Sequence, residues 1–93
     1  MSKIEIGNLV ISKKGRDCGT LYMVYSIQGD KIGLVNGQAK KMSNPKIKSC
    51  KHIISTDQTL DAIKEKIANK KKIFDSEIYS AIKKCAEILD KNI

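Results

Sequence analysis

The chain has little arginine, histidine, proline or cysteine, and it has no long apolar run. Its 93 residues include one arginine, one histidine, one proline and three cysteines. Three scattered cysteines are too few for a disulfide framework and indicate reduced thiols. No run approaches the roughly 18 apolar residues of a membrane span, and residues 1–7 lack the apolar core of a signal peptide. We therefore expect a soluble cytoplasmic protein with no membrane partner.

Candidate residues for catalysis and metal binding are also few. One histidine, with no G-x-S-x-G motif and no Walker-type phosphate loop, leaves little from which to build an active site. Cys18, Cys50 and His52 could be imagined as metal ligands, but a zinc site needs four ligands at a recognisable spacing. The chain has no C-x-x-C or H-x-x-x-H. We expect no enzymatic activity, no catalytic residue, no metal and no cofactor.

Positive charge is abundant and unevenly distributed. The formal net charge is +8, and basic clusters of this kind attract polyanions. Residues 1–55 hold ten basic residues against three acidic ones, a net of +7, whereas residues 56–93 hold eight against seven, a net of +1. A coding bias toward lysine would explain part of the excess as solvated surface, but it would not favour one half. The first half therefore carries the predicted anion-binding surface.

The only arginine lies in a glycine-framed segment at residues 12–19. Arg16 follows Gly15, and Gly19 lies three residues further on. A guanidinium grips a phosphate or a guanine edge through two bonds, which an ammonium cannot do, and glycine permits sharp backbone turns. The segment is typical of a loop that presents Arg16 to nucleic acid. The alternative is an ordinary turn in which Asp17 bonds to nearby backbone amides or orients Arg16.

A second basic segment runs from residue 40 to residue 52. Lys46 and Lys48 are two residues apart, so they share one face of an extended chain, and such a stripe can follow a phosphate backbone. The alternative is an edge strand that its lysines protect from aggregation. The two interpretations are compatible. His52 is interpreted as a packed or phosphate-facing side chain.

Up to residue 55, short apolar runs separated by glycine predict a small all-β unit. Asn36 and Gly37 form the dipeptide best suited to a type I′ hairpin turn. Apolar residues on both faces of the second run favour a sheet curled on itself. Tyr22 and Tyr25 could stack on bases, but packing inside the barrel is favoured. The expected strands are residues 9–11, 20–27, 31–35, 39–42 and 51–55.

After residue 55 the apolar period becomes helical. Leu60, Ile63 and Ile67 predict an amphipathic helix of about a dozen residues, with Thr56 or Asp57 as its N-cap. A second helix is expected from Asp75, with an apolar stripe of Ile78, Ile82, Cys85 and Leu89. The fold class is therefore mainly β plus α. We expect a five-stranded barrel at residues 1–55 and a two-helix extension at residues 56–93 that packs on the barrel or on a partner.

Three segments together resemble a known family. They are S-K-x-G-R-D-x-G at residues 12–19, the Asn36 and Gly37 turn, and P-K-x-K-x-x-K-H at residues 45–52. The chain resembles the bacterial KOW domain-containing RNA-binding proteins, which are similar to KOW-type large-subunit ribosomal proteins of archaea and eukaryotes. The resemblance implies an SH3-like barrel that binds ribosomal or other structured RNA. It does not extend to residues 56–93.

The resemblance also implies which residues contact RNA. By the match, this role falls on Lys13, Lys14, Arg16, Lys46, Lys48 and Lys51. The loop and the basic segment add Gly15, Lys40, Lys41 and His52. We expect a non-catalytic protein that binds ribosomal RNA, with ribosomal proteins as further partners. Two alternatives remain: a protein-interaction module that docks on the translation or transcription machinery, and a binder of duplex DNA.

Overall fold

The structure, a computed structural model, describes residues 4–16 and 18–91, without the side chains of residues 57 and 88–91. Its five strands form one antiparallel sheet in the order β4-β3-β2-β1-β5, and two helices follow. A short 3₁₀ turn, Cys50–His52, joins the last two strands. The elements are β1 (Asn8–Ser12), β2 (Leu21–Gln28), β3 (Lys31–Val35), β4 (Lys46–Ser49), β5 (Ile53–Thr59), α1 (Asp61–Ala68) and α2 (Asp75–Lys91).

The sheet curls into a half-barrel, as the apolar residues on both faces of β2 predicted. Its register shifts twice, between Val24 and Ser26 where β2 pairs with β3, and between Asn8 and Val10 where β1 pairs with β5. Bulges of this kind bend a strand and increase its twist. The curl therefore gives the sheet two packed faces instead of one.

Two buried apolar clusters lie on the two faces of the sheet. The first is formed within the half-barrel by Val10, Tyr22, Val24, Ile32, Leu34 and Ile53. The second joins the sheet to the helices and consists of Leu9, Met23, Val35, Leu60, Ile63, Ile78 and Ile82. Neighbouring residues of a strand point to opposite faces, so adjacent pairs such as Leu9 and Val10 divide between the clusters. The helices thus pack on the sheet and share a core with it.

The predicted strand at residues 39–42 is wrong. The chain forms bends and turns there, and the strand that pairs with β3 is β4. Asn36 and Gly37 open a loop of ten residues, 36–45, instead of a two-residue hairpin. The Oδ1 atom of Asn36 accepts the amide hydrogens of Gln38 at 3.0 Å and Lys40 at 2.9 Å. These local bonds satisfy the amides that a hairpin ladder would have used.

The predicted start of the first helix is also wrong. Thr56 lies inside β5, where its hydroxyl donates to the carbonyl of Leu9 at 2.7 Å. The strand continues to Thr59, and α1 begins only at Asp61, which makes it eight residues long. Leu60 and Ile63 are buried as expected, and Ile67 packs against the same cluster.

The second helix begins where the sequence predicted, but Asp75 does not cap it. The carbonyl of Phe74 accepts from the amide of Glu77, whose side chain accepts the amide hydrogen of Phe74 at 3.3 Å. The side-chain bond of Glu77 is one of the two bonds of a capping box, and the other bond is part of the first backbone turn. Ile78 and Ile82 are buried as predicted, whereas the side chain of Leu89 lies outside the described part. Lys66 of α1 bonds to Glu77 at 2.6 Å and joins the two helices.

Candidate nucleic-acid interface

The loop between β1 and β2 is a closed turn that exposes Arg16. Ser12 closes its base, because its amide donates to Thr20 at 3.0 Å and its carbonyl accepts from Gly19 at 2.7 Å. Gly15 and Gly19 have φ values of 92° and 91°, a region that side chains disfavour. The sequence prediction that these glycines shape the loop is confirmed. Asp17, which the sequence offers as a partner for Arg16, lies outside the described residues.

Lys48 links the far edge of the sheet to the base of this loop. Its ammonium donates to the hydroxyl of Ser12 and to the carbonyl of Lys14. Ser12 is fully buried, so the first of these bonds joins the lysine ammonium to a buried hydroxyl. A residue predicted as an RNA contact therefore has an intramolecular role that sequence reasoning missed. No local pattern relates Lys48 to Ser12, which lies 36 residues earlier.

Four lysines surround His52 in the 3₁₀ turn. The pKa of His52 is lowered from its ordinary value, first by partial burial and then by repulsion from Lys14, Lys51, Lys48 and Lys13. The carbonyl of His52 accepts from the amide of Lys13 at 3.1 Å, so the turn and the loop are held together. We name this group, formed by Lys13, Lys14, Lys48, Lys51 and His52, the basic cluster. At neutral pH its charge comes from the four lysines.

The other predicted contacts lie outside the basic cluster. Lys40 and Lys41 belong to loop 36–45, which leaves the sheet at the same end as the Arg16 loop, since Val35 pairs with Met23. Lys46 lies on β4, two residues from Lys48, so these two lysines share one face of an extended strand, as their spacing predicted. β4 is also an edge of the sheet, which is the position that the alternative interpretation of these lysines requires.

The tyrosine side chains of β2 serve packing. Tyr22 is 3% exposed and belongs to the inner cluster, which leaves it unable to stack on a base. Tyr25 is half-buried and packs against the cluster under the helices. Packing inside the barrel is therefore confirmed for Tyr22, whereas Tyr25 packs on the opposite face of the sheet, toward the helices.

Sequence reasoning missed a cavity between α2 and the two loops. Its volume is about 420 Å³, and it lies between the end of the Arg16 loop at Gly19 and the start of loop 36–45 at Asn36. The Asn36 and Gly37 dipeptide was the available signal, but it was interpreted as a hairpin turn. Tyr79 and Lys83 line the cavity from the helix side.

Two further observations concern ligands and membranes. Within residues 4–16 and 18–91, there is no group of three or more histidine, cysteine, aspartate or glutamate side chains that could hold a metal ion. Cys18 and Cys50 are exposed free thiols. Neither helix of the described chain is both long enough and apolar enough to cross a membrane.

No protein-family description matches the chain, and no curated protein sequence matches it.

Proposed function

We propose that this chain is a non-catalytic RNA-binding protein that associates with the ribosome in the cytoplasm. The observation that carries the proposal is the basic cluster. Two hydrogen bonds bring it together: the amide of Lys13 donates to the carbonyl of His52 at 3.1 Å, and the ammonium of Lys48 donates to the carbonyl of Lys14. Like charges gathered on one surface repel each other, and a polyanion relieves that repulsion. The exposed guanidinium of Arg16 lies in the loop that this cluster anchors.

The resemblance to KOW proteins supports RNA over other polyanions. The family's S-K-x-G-R-D-x-G and P-K-x-K-x-x-K-H segments are the two that meet here, since Lys13 of the first bonds to His52 of the second. A curled five-stranded sheet is compatible with the SH3-like barrel that the family implies. We infer that binding relies on phosphate contacts and on RNA shape, with little reading of base sequence.

The salt dependence of binding tests the phosphate mechanism. Each neutralised phosphate lowers the slope of log affinity against log salt by about 0.7 on a single strand. With Lys13, Lys14, Arg16 and Lys51 each at one phosphate, the expected slope is about −3. Lys51→Gln is expected to make it less steep by about 0.7, whereas Lys70→Gln, at an exposed position before α2, leaves it unchanged. A slope near zero, measured by fluorescence anisotropy, contradicts the proposal.

Arg16→Lys tests the role of the guanidinium. The change keeps the charge but removes the planar fork, so we expect affinity to fall by about 1–3 kcal/mol if Arg16 contacts a base edge. Lys14→Arg is the converse control and should not weaken binding. If Arg16→Lys binds as tightly as the unchanged chain, Arg16 is a surface turn residue.

Ribosome association is tested by sedimentation of a cell lysate. We expect the protein to travel with the large ribosomal subunit and to leave it after RNase treatment. Recovery in the light fractions of an untreated lysate contradicts the ribosomal part of the proposal, while direct binding to purified RNA tests the rest.

Exposed apolar side chains favour a second candidate, a protein-interaction module. Ile47 is 60% exposed, Phe74 54% and Ile54 49%, and large exposed apolar groups often mark contact surfaces. Such a module would retain its protein partners after RNase digestion. The same digestion therefore separates the two candidates.

A further inference from the structure

The cavity beside α2 has the size and position of a small-molecule site. Its volume of about 420 Å³ falls within the range of about 300–1,000 Å³ that ligand pockets occupy. It is an open cleft, and its walls come from three separate parts of the chain: the two loops and α2. The lining residues are Gly19, Leu21, Asn36, Gln38, Tyr79, Ile82, Lys83 and Ala86.

The lining combines an apolar floor with a polar rim. Leu21, Ile82 and Ala86 supply aliphatic surface, and Tyr79 supplies an aromatic ring in a residue that is 39% exposed. The carboxamide of Asn36 has a defined orientation, because its Oδ1 atom accepts two backbone amides. Its Nδ2 group is therefore the end that can donate to a ligand. A flat heteroaromatic ring with carbonyl acceptors on its edge matches this lining.

The charge around the cavity selects for an anion. Among the described side chains, no acidic one lines it, and Lys83 forms part of its wall. Gly19 ends the Arg16 loop on one side, and Lys40 and Lys41 follow Asn36 in the loop on the other side. An aromatic ring that carries phosphates on both sides fits this arrangement, whereas an apolar protein side chain would leave Asn36 and Lys83 unused.

We propose that the cavity receives one unstacked base of single-stranded RNA while Lys83 contacts an adjacent phosphate. The inference rests on the proposed function and deepens it, because it adds a preference for unpaired RNA to the phosphate contacts of the basic cluster. Proteins commonly recognise RNA through splayed-out bases that stack on aromatic side chains. Tyr79 is the residue placed to stack, and Asn36 is placed to bond to the base edge.

Filling the cavity without changing charge is the direct test. Ala86→Trp places an indole inside the cavity, and Ser80→Trp adds the same group at an exposed position of α2 that does not line it. The probe is a single-stranded RNA of about a dozen nucleotides, compared with a duplex RNA at fixed salt. We expect Ala86→Trp to weaken single-strand binding about tenfold, since one stacked base contributes that much or more. Ser80→Trp and duplex binding should stay unchanged.

Photo-crosslinking of the unchanged chain provides evidence that does not depend on a variant's folding. Iodouridine-substituted RNA forms covalent bonds with aromatic residues that stack on it. We expect a crosslink at Tyr79, and crosslinks confined to His52 or Phe74 overturn the inference. Nucleoside monophosphates are expected to compete weakly, because they lack the contacts to the basic cluster. Competition by monophosphates as strong as that by RNA also overturns it.

The possible failures are distinguishable. If the unchanged chain binds RNA with the expected salt slope but Ala86→Trp binds single strands equally well, the cavity does not bind an RNA base and the proposed function stands. If the unchanged chain shows no salt-dependent RNA binding, the proposed function fails and the base pocket fails with it.

Discussion

At the scale of single residues, Asn8 shows how one side chain replaces part of a strand ladder. The register between β1 and β5 shifts beside it, and its Nδ2 group donates to the carbonyls of Thr56 at 3.1 Å and Gln58 at 2.9 Å. Its Oδ1 atom accepts the hydroxyl of Ser55 at 2.6 Å. Asn8 is 4% exposed, so every one of these bonds is shielded from most solvent.

Asn8→Ala is therefore expected to destabilise the fold by about 1–3 kcal/mol, because it removes three hydrogen bonds of a buried side chain and the donor to two part-buried carbonyls. Urea unfolding followed by circular dichroism measures the change. Asn44→Ala is the matched control, since Asn44 is exposed and surface changes stay within about 0.5 kcal/mol. Equal unfolding midpoints for the two variants would contradict this role for Asn8.

The lowered pKa of His52 predicts how the stability of the fold depends on pH. Its pKa is lowered in the folded chain by partial burial and by the neighbouring lysines, so the folded state resists protonation. Stability should accordingly fall as pH drops below the ordinary histidine pKa of about 6.5 and continue to fall through the lowered pKa. His52→Gln should remove this part of the pH dependence. A melting temperature with the same pH profile in both proteins would rule the effect out.

The proposed function predicts the opposite pH trend for RNA binding. Phosphates beside the lysines would offset the repulsion that lowers the pKa of His52, so binding would take up a proton. Affinity should rise as pH falls from about 7.5 to about 5.5, by up to about tenfold for each unit of pKa change. The comparison of His52→Gln with the unchanged chain at several pH values measures this, and parallel profiles would exclude His52 from the interface.

At the scale of elements, loop 36–45 and α2 determine each other's position. The Oδ1 atom of Asp75 accepts the amide hydrogen of Met42 at 2.9 Å. Gly37 has a φ of +77°, and a Cβ atom there would lie 2.1 Å from the carbonyl oxygen of Asp75 and 2.7 Å from the amide nitrogen of Tyr79. The first turn of α2 thus rests directly on the glycine backbone.

Gly37→Ala is expected to displace α2 and to cost about 2–4 kcal/mol, from backbone strain and from the close contact together. Gly29→Ala is the control, because Gly29 also has a positive φ of +63° but open space around it. Its cost should be about 1 kcal/mol. Thermal unfolding compares the two variants, and a Gly37→Ala midpoint at or above that of Gly29→Ala would contradict the packing argument.

The contact between loop 36–45 and α2 explains where sequence reasoning succeeded and where it failed. β2 and α2 were predicted because their patterns are local: a run of β-branched and aromatic residues, and an apolar stripe of helical period. The strand at residues 39–42 was wrong for two reasons. Asn36 accepts two of the amides nearby, and Asp75 accepts the amide hydrogen of Met42, which lies 33 residues away in sequence. The predicted helix cap at Thr56 was wrong for a similar reason, since a threonine suits a helix cap and a strand equally until its bond to Leu9 is known.

In the candidate site too, residues with a local sequence signal were predicted and residues brought together by the fold were not. Arg16 and its flanking glycines were found because glycine and arginine are locally informative, and the lysine stripe was found because charge is visible in composition. The cavity was not found, since Leu21, Asn36 and Tyr79 come from three distant parts of the chain and form no pattern in the sequence.

At the scale of the whole molecule, sheet and helices share one core. Leu9, Met23 and Val35 of the sheet are fully buried in the same cluster as Ile78 of α2. A half-barrel without the helices would expose that apolar face to water. We therefore expect the half-barrel and the helices to unfold in a single transition.

Ile78→Ala tests this expectation. The loss of a fully buried isoleucine should cost about 2–5 kcal/mol. In a Tyr79→Phe background, where tyrosine fluorescence comes from β2 alone, it should lower the unfolding midpoint equally for that fluorescence and for far-ultraviolet circular dichroism, which is dominated by helix. Cys85→Ala, at a half-buried position of the same helix, should shift both by less. If the helical signal is lost first while the tyrosine signal keeps its original midpoint, the two parts fold independently.

The bond from Lys48 to the base of the Arg16 loop has a consequence for how fast and how tightly the loop can engage a ligand. A loop held at its base samples fewer conformations before an encounter, so it gives up less conformational entropy when a ligand orders it. The fixed charge of Lys48 thereby improves affinity through preorganisation of its neighbours. Lengthening the loop between Lys14 and Gly19 should then slow association, although no charged group is lost.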